Sequence, residues 1–163
     1  MDYINSSFLI DGVLLTKLVL AMVLGMILGI ERLYAHKTAS MRTYALVSMG
    51  SALFVILSVS VLAMQGNTTA DPLRVAAQII AAAGFFGAGI VFFKDDNKIT
   101  GMTTAAGLWV SAGIGMACGF GMFGIAIAST VLTLFIFTVL WFIENRLKKT
   151  KFISESNPED YGK

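Results

Sequence analysis

ITGMTTAAGLWVSAGIGMACGFGMFGIAIASTVLTLFIFTVLWFI, residues 99–143, holds 45 consecutive positions without a charged side chain. As one straight helix rising about 1.5 Å per residue, this run would be about 67 Å long, roughly twice the hydrocarbon thickness of a bilayer. It has to fold back on itself. The compact cluster of helix-breaking residues nearest its middle is Gly119-Phe120-Gly121, which predicts a tight turn between spans at about 103–118 and 122–143.

The same ruler works outward, because a charge in the hydrocarbon core is costly and the intervals between charges therefore mark spans. Arg74 and Lys94 enclose 19 uncharged residues, about 28 Å as a helix and close to the core thickness. This predicts span three at about 74–93. Arg42 and Asp71 enclose 28, of which Tyr44 to Met64 are apolar before the polar turn Gln65-Gly66-Asn67-Thr68-Thr69, so span two falls at about 43–64. Span one, at about 12–31, carries Lys17 near its start, where the ammonium can snorkel toward the interface. Residues 1–143 thus read as a transmembrane domain and 144–163 as a basic, disordered tail.

Composition agrees with this division. The 163 residues are 56% hydrophobic and 13% charged, against roughly 45–50% and 25% in an average soluble domain. A water-soluble globule is excluded, and no length remains for a separate catalytic domain. The fold class read from the chain is all-α, a polytopic transmembrane bundle of about five spans, with no enzymatic activity expected. A single cysteine, Cys118, forbids an intrachain disulfide, and one His with one Cys does not make a zinc site. No metal or cofactor is expected, and a net charge of +2 does not point to nucleic acid.

Basic residues set the orientation, since Lys and Arg are retained in cytoplasmic loops. Arg32, Lys37 and Arg42 lie in the first loop, Lys94 and Lys98 in the third, and Arg146, Lys148, Lys149, Lys151 and Lys163 in the tail. Only Lys17 and Arg74 fall on the other side. The N-terminus is therefore expected outside and the C-terminus in the cytoplasm. Without a basic n-region or an Ala-x-Ala site, span one reads as an uncleaved anchor.

Membrane helices approach one another through small residues. Ten of the 16 glycines lie between Gly84 and Gly124. Gly25 with Gly29 and Gly115 with Gly119 have small-xxx-small spacing, and Gly84, Gly87 and Gly89 crowd the end of span three. Two uses are open: packing within the bundle, or a face for a homodimer or a partner's helix. Gly84-Phe85-Phe86-Gly87-Ala88-Gly89 lacks the Lys-Ser/Thr ending of a phosphate loop and sits in an apolar span, so nucleotide binding is set aside.

No Asp, Glu, Lys or Arg lies near the middle of a predicted span, which disfavours a carboxylate-driven pump. Charges gather at the helix ends instead. Glu31 shares a helical face with Leu24, Ile27 and Leu28, which would aim it into the bundle. Asp71 before Pro72 fits a helix cap. Gln78, one turn from Arg74, needs a hydrogen-bond partner, and Thr103, Thr104 or Ser111 could supply one. Glu31, Arg42, Arg74, Gln78 and the threonine pair are candidates for a polar pocket, with ordinary interhelical hydrogen bonding as the competing use. His36 reads as a solvated loop residue, Trp109 and Trp141 as packing or interfacial residues, and the nine methionines as gap-fillers. The tail's run Arg146-Leu147-Lys148-Lys149-Thr150-Lys151 suits anionic headgroups.

Five segments in order resemble the MgtC/SapB family of bacterial inner-membrane proteins. They are Gly25-Met26-Ile27-Leu28-Gly29-Ile30-Glu31-Arg32, Met41-Arg42-Thr43-Tyr44-Ala45-Leu46-Val47, Asp71-Pro72-Leu73-Arg74-Val75-Ala76-Ala77-Gln78, Gly84 to Gly89, and Gly101-Met102-Thr103-Thr104-Ala105-Ala106-Gly107-Leu108-Trp109. The resemblance covers about residues 15–120. It implies a multi-pass protein of the cytoplasmic membrane, without the soluble C-terminal domain several members carry. It further implies a role in magnesium limitation, acid stress and intracellular persistence. Members are thought to act by binding other membrane complexes, notably the proton-translocating ATP synthase, although many carry the label of magnesium transporter. Matched positions single out Glu31, Arg32, Arg42, Asp71, Arg74, Gln78, Thr103 and Thr104, with Gly87, Gly89 and Trp109 as packing elements. Tyr44, Ser40 and Thr100 depart from the family's usual His, Gly and basic residue. A reporter fused after Lys163 is expected to be active on the cytoplasmic side; activity outside would change the span count by one.

Overall fold

The computed structural model describes residues 2–37, 39–65, 71–94 and 98–149. The polar turn expected around 65–69 and the tail beyond 149 lie almost wholly outside them. Five helical rods make up the fold: α1 (Asp2–Tyr34), α2 (Met41–Gln65), α3 (Leu73–Ile90), α4 (Met102–Gly119) and α5 (Phe123–Phe135). The last continues through one π turn, Ile136–Leu140, into α6 (Trp141–Lys149). Four stretches are long and apolar enough to cross a membrane: Gly12–Tyr34, Met41–Met64, Leu73–Ile90 and Phe123–Leu147. The remaining rod, α4, packs against α1, α2, α3 and α5 and buries nine residues, four of them Gly or Ala. A helix with half of its residues buried against its neighbours presents less surface to lipid and needs fewer large apolar side chains.

The turn expected at Gly119-Phe120-Gly121 is present. Gly121 takes φ +79°, the left-handed conformation that closes a helix at low cost only without a Cβ. The Met122 N–H donates to the Ala117 carbonyl at 2.8 Å and the Gly121 N–H to the Cys118 carbonyl at 2.9 Å, a Schellman arrangement. The first loop repeats it with a costlier residue: His36 adopts φ +53°, and the Lys37 N–H reaches the Arg32 carbonyl at 3.0 Å. His36 is thus exposed as read, and it also ends α1.

Three expectations change. Span three stops at Ile90 instead of 93, because Val91 turns extended and Phe92–Lys94 pairs antiparallel with Lys98–Thr100, Phe92 opposite Thr100. The segment from 144 remains helical through Lys149, with the Arg146 guanidinium 5.6 Å from the Phe142 ring one turn earlier. Lys17 is turned inward: its ammonium donates to the Gly119 carbonyl at 3.0 Å, placing a cation on the partially negative C-terminal end of α4.

Packing centres on one stripe of α2. Ser48 is fully buried, and its hydroxyl donates to the Ala21 carbonyl of α1 at 2.7 Å. A Cβ on Gly25 of α1 would lie 2.7 Å from the Ser48 Cβ, and one on Gly115 of α4 would fall inside the Ser48 backbone carbonyl. Gly29 meets Met41, and Gly119 meets Ala52 and Val55. Both small-xxx-small pairs therefore serve packing within this chain. Gly113, on the same helix, has nothing within 4 Å of where its Cβ would be. Gly115→Leu is expected to abolish recovery of folded monomer in detergent, a loss at or beyond about 1–3 kcal/mol, whereas Gly113→Leu stays within about 0.5 kcal/mol of the parent. Size-exclusion recovery after a heating series reads the difference.

Candidate functional site

α1 ends, α2 and α4 begin, and the π turn of the last rod passes, all at one end of the bundle. Here the helix ends bring polar groups together. Glu31 and Arg32 form an ion pair between neighbouring side chains, and Arg32 is only 4% exposed. Residues i and i+1 point different ways on a helix, so the pairing needs a reason. Glu31 lies where the helix end carries partial negative charge, and Arg32 has to neutralise it from within the bundle.

The guanidinium also lies over the Phe137 ring, whose centroid is 3.7 Å from the Arg32 Cζ. A desolvated cation on an aromatic face gains about 2 kcal/mol. Phe137 sits in the π turn, a helical irregularity that recurs at functional sites. Gly107 of α4 makes the room, since a Cβ there would run into both the Tyr44 hydroxyl and the Phe137 ring. Tyr44, fully buried, donates from that hydroxyl to the Thr104 carbonyl at 3.2 Å, and Ser111 donates to the Tyr44 carbonyl at 3.0 Å. The cluster is thus Glu31, Arg32, Tyr44, Thr104, Gly107 and Phe137, drawn from four rods.

Of the residues singled out in the sequence, Glu31, Arg32 and Thr104 come together here. Thr103 is exposed beside Thr104. Arg42 is exposed on the outer side of α2 at the same end and lines a groove toward α3. Asp71 lies at the start of α3, where its carboxylate accepts from the Leu73 N–H at 2.8 Å, the capping role expected of it. Arg74 and Gln78 are exposed on that helix.

The pocket expected from Glu31, Arg42, Arg74, Gln78 and the threonine pair does not assemble. α3 and α4 run antiparallel, with Gly87 against Ala105. Gln78, nine residues before Gly87, is about 13 Å down the helix, at the level of Ile114 and not of Thr103 or Thr104. Ser111, the third partner considered, is engaged by Tyr44.

The small residues divide as well. Gly87 touches Ala105 as a packing element, but Gly84 and Gly89 have nothing within 4 Å and face outward. Trp109 is 52% exposed and so not a packing element inside this chain. Sequence reasoning passed over Phe137, Gly107 and Ser48. Ser48 had a signal, one turn after Tyr44 and two turns before Val55 on one face; Phe137 had none, because its role depends on a partner 105 residues away.

Residues 18–146 match the sequence pattern of the MgtC family. The chain belongs to that family. The match runs from before Glu31 to beyond Phe137 and so contains the whole cluster. Protein MgtC of Salmonella typhimurium (strain LT2) is 41% identical over 118 residues, covering 72% of this chain and 48% of that protein. The Escherichia coli K12 protein named "Putative magnesium transporter YhiD" is 39% identical over 140 residues, 83% of this chain and 64% of that one. An uncharacterized protein of Haemophilus influenzae is 37% identical over 141 residues, 80% of this chain and 59% of its own length. The chain thus spans about half to two thirds of the length of these curated relatives. No solved structure matches it. Family membership and the apolar helices make this a multi-pass membrane protein, in keeping with the bacterial inner membrane.

Within this MgtC-family chain, the Arg32 cation is buried and doubly engaged, so removing it leaves Glu31 without a counter-charge. Arg32→Met is expected to cost about 3–5 kcal/mol. Arg32→Lys recovers only part, since an ammonium does not spread over a ring as a guanidinium does. Glu31→Gln combined with Arg32→Met recovers more than Arg32→Lys. Thermal unfolding in one detergent ranks the three; an Arg32→Met protein as stable as the parent refutes the pairing.

Proposed function

We propose that this protein is a non-enzymatic partner that binds another membrane complex through helix-to-helix contact in the membrane. The observation that carries the reading is the outward face of α3. Ala77, Ala81, Gly84 and Ala88 are all exposed at helical spacing, a stripe of small residues turned away from the bundle. Gln78, also exposed, flanks the stripe about a quarter-turn round the helix and makes no hydrogen bond to the described residues. An amide facing lipid tails lacks a hydrogen-bond partner, which is unfavourable. A second helix lying on the stripe would remove that penalty and approach closely over the small side chains.

The sequence reading assigned the Gly-rich faces of spans three and four to this contact. α3 retains such a face, whereas Gly115 and Gly119 of α4 are closed by α2. Family membership supports the setting of magnesium limitation or acid stress, and the family resemblance implies a membrane ATPase or ATP synthase as the class of partner. The N-terminus outside and C-terminus in the cytoplasm complete the proposed arrangement, supported by the distribution of basic residues.

One specific observation favours a second reading, the transport of Mg²⁺ or another cation: the name of the Escherichia coli relative. Glu31 and Asp71 sit at opposite ends of the bundle, so one ion would not be shared by both. Among the described residues no three His, Cys, Asp or Glu side chains gather as a metal site. Gln78→Leu and Gly84→Leu are expected to leave the monomer folded, since both positions face outward, and to reduce a copurifying membrane complex at least tenfold. Crosslinking in native membranes, followed by mass spectrometry, measures this. Metal-dependent flux into liposomes that contain this chain alone, unchanged by either substitution, would replace the binding reading with transport.

A further inference from the structure

A trough of about 670 Å³ lies between α2 and α3, floored by Leu108 and Ala112 of α4. That volume is in the range of small-molecule and cofactor sites. The walls are apolar, with Leu46, Phe54 and Phe86 among them. Two glycines, Gly50 on α2 and Gly89 on α3, also line it, and neither has any atom within 4 Å of where its Cβ would lie. The width of the trough therefore comes from missing side chains. At the end where α2 begins stands Arg42, exposed and without an ion pair among the described residues, next to Thr43.

Length identifies the occupant. From Arg42 to Phe54 along α2 is 12 residues, about 18 Å, and from Ile79 to Ile90 along α3 is 11 residues, about 17 Å. A bilayer core is about 30 Å thick, so the trough runs from one interface to a little past the midplane. A transmembrane helix of a partner or of a second copy would need the full depth. An acyl chain needs one leaflet only. The single cation stands at the interfacial end, where a lipid phosphate sits, and a guanidinium matches phosphate oxygens in shape as well as charge.

We propose that the α2–α3 trough is a binding site for one anionic phospholipid, its acyl chain on Gly50 and Gly89 and its headgroup phosphate on Arg42. Ala77, Ala81, Gly84 and Ala88 are not among the residues that line the trough, so the site does not depend on the helix-binding role. One basic residue at an anionic surface contributes about 1 kcal/mol, equivalent to about a fivefold preference for anionic over zwitterionic lipid.

Native mass spectrometry of the 163-residue chain, released from vesicles of equimolar phosphatidylglycerol and phosphatidylcholine, tests the assignment. The parent is expected to retain one phosphatidylglycerol, about fivefold over phosphatidylcholine. Arg42→Gln is expected to retain either lipid equally, because the trough remains and the cation is gone. Gly50→Leu, whose Cβ meets nothing within 4 Å, fills the trough and is expected to retain neither lipid; Gly89→Leu repeats the test from the opposite wall. Retention in vesicle proportion by the parent overturns the proposal. So does phosphatidylglycerol retention unchanged in Arg42→Gln or in both leucine variants, or a lipid-free dimer that the leucine variants dissolve.

Discussion

Three helices meet at Ser48, and their closeness is the constraint on which the other contacts depend. Lipid gives membrane helices no hydrophobic reason to associate, so the bundle is held by contacts that work only at short range. Gly25 and Gly115 remove the side chains that would keep α1 and α4 off α2, and the Ser48 hydroxyl then reaches the Ala21 carbonyl. With α4 pressed against α2 at that level, the Tyr44 hydroxyl meets the Thr104 carbonyl about three turns away along α4, and Ser111 reaches back to the Tyr44 carbonyl. The interior polar groups are satisfied by backbone carbonyls, the acceptor a tightly packed helix pair offers most readily.

The buried charge follows from the same closeness. An arginine in a membrane bundle is tolerable only where an anion and a polarisable surface surround it. Glu31 supplies the first from the same helix and Phe137 the second from the last rod, and Gly107 leaves the space in which ring and phenol pass each other. The two ends of the bundle thereby differ in kind. One holds a compensated ion pair inside; the other, at α3, carries Asp71, Arg74 and Gln78 on its surface.

How much of this was legible in the sequence divides along the range of the interaction. Spans and the turn at Gly121 follow from local terms, the cost of charge in hydrocarbon and the conformational freedom of one glycine, and both were readable. The end of α3 was not, because the uncharged interval to Lys94 contains residues that pair as strands, and an absence of charge does not distinguish helix from hairpin. Glu31, Arg32 and Thr104 were legible as candidates through the family motifs, yet not as one cluster, since Phe137 and Gly107 complete it from positions set by tertiary packing. The Gln78 partnership failed for a topological reason: antiparallel helices place the start of one beside the end of the next.

Glycine is the residue on which sequence is most ambiguous here, and the structure gives the reason. Gly115 and Gly113 are two residues apart in one helix, yet the first is pressed against a carbonyl and the second meets nothing. The difference is made entirely by the facing helix. Where that helix presents backbone, as α2 does to Gly25, Gly29, Gly115 and Gly119, the missing Cβ closes an interior contact. Where the neighbour leans away, as α2 does from Gly89 and α3 from Gly50, the same absence leaves a trough. Where no neighbour stands at all, as at Gly84, it leaves a surface. Close packing, a lipid-sized hollow and an exposed stripe are thus three results of one deletion, and the crossing of α2 and α3 decides which results. Those two helices touch far less than α1 and α2, α2 and α4 or α3 and α4 do, so α2 is tied to α1 and α4 on its inner face while α3 is held to the bundle mainly through α4.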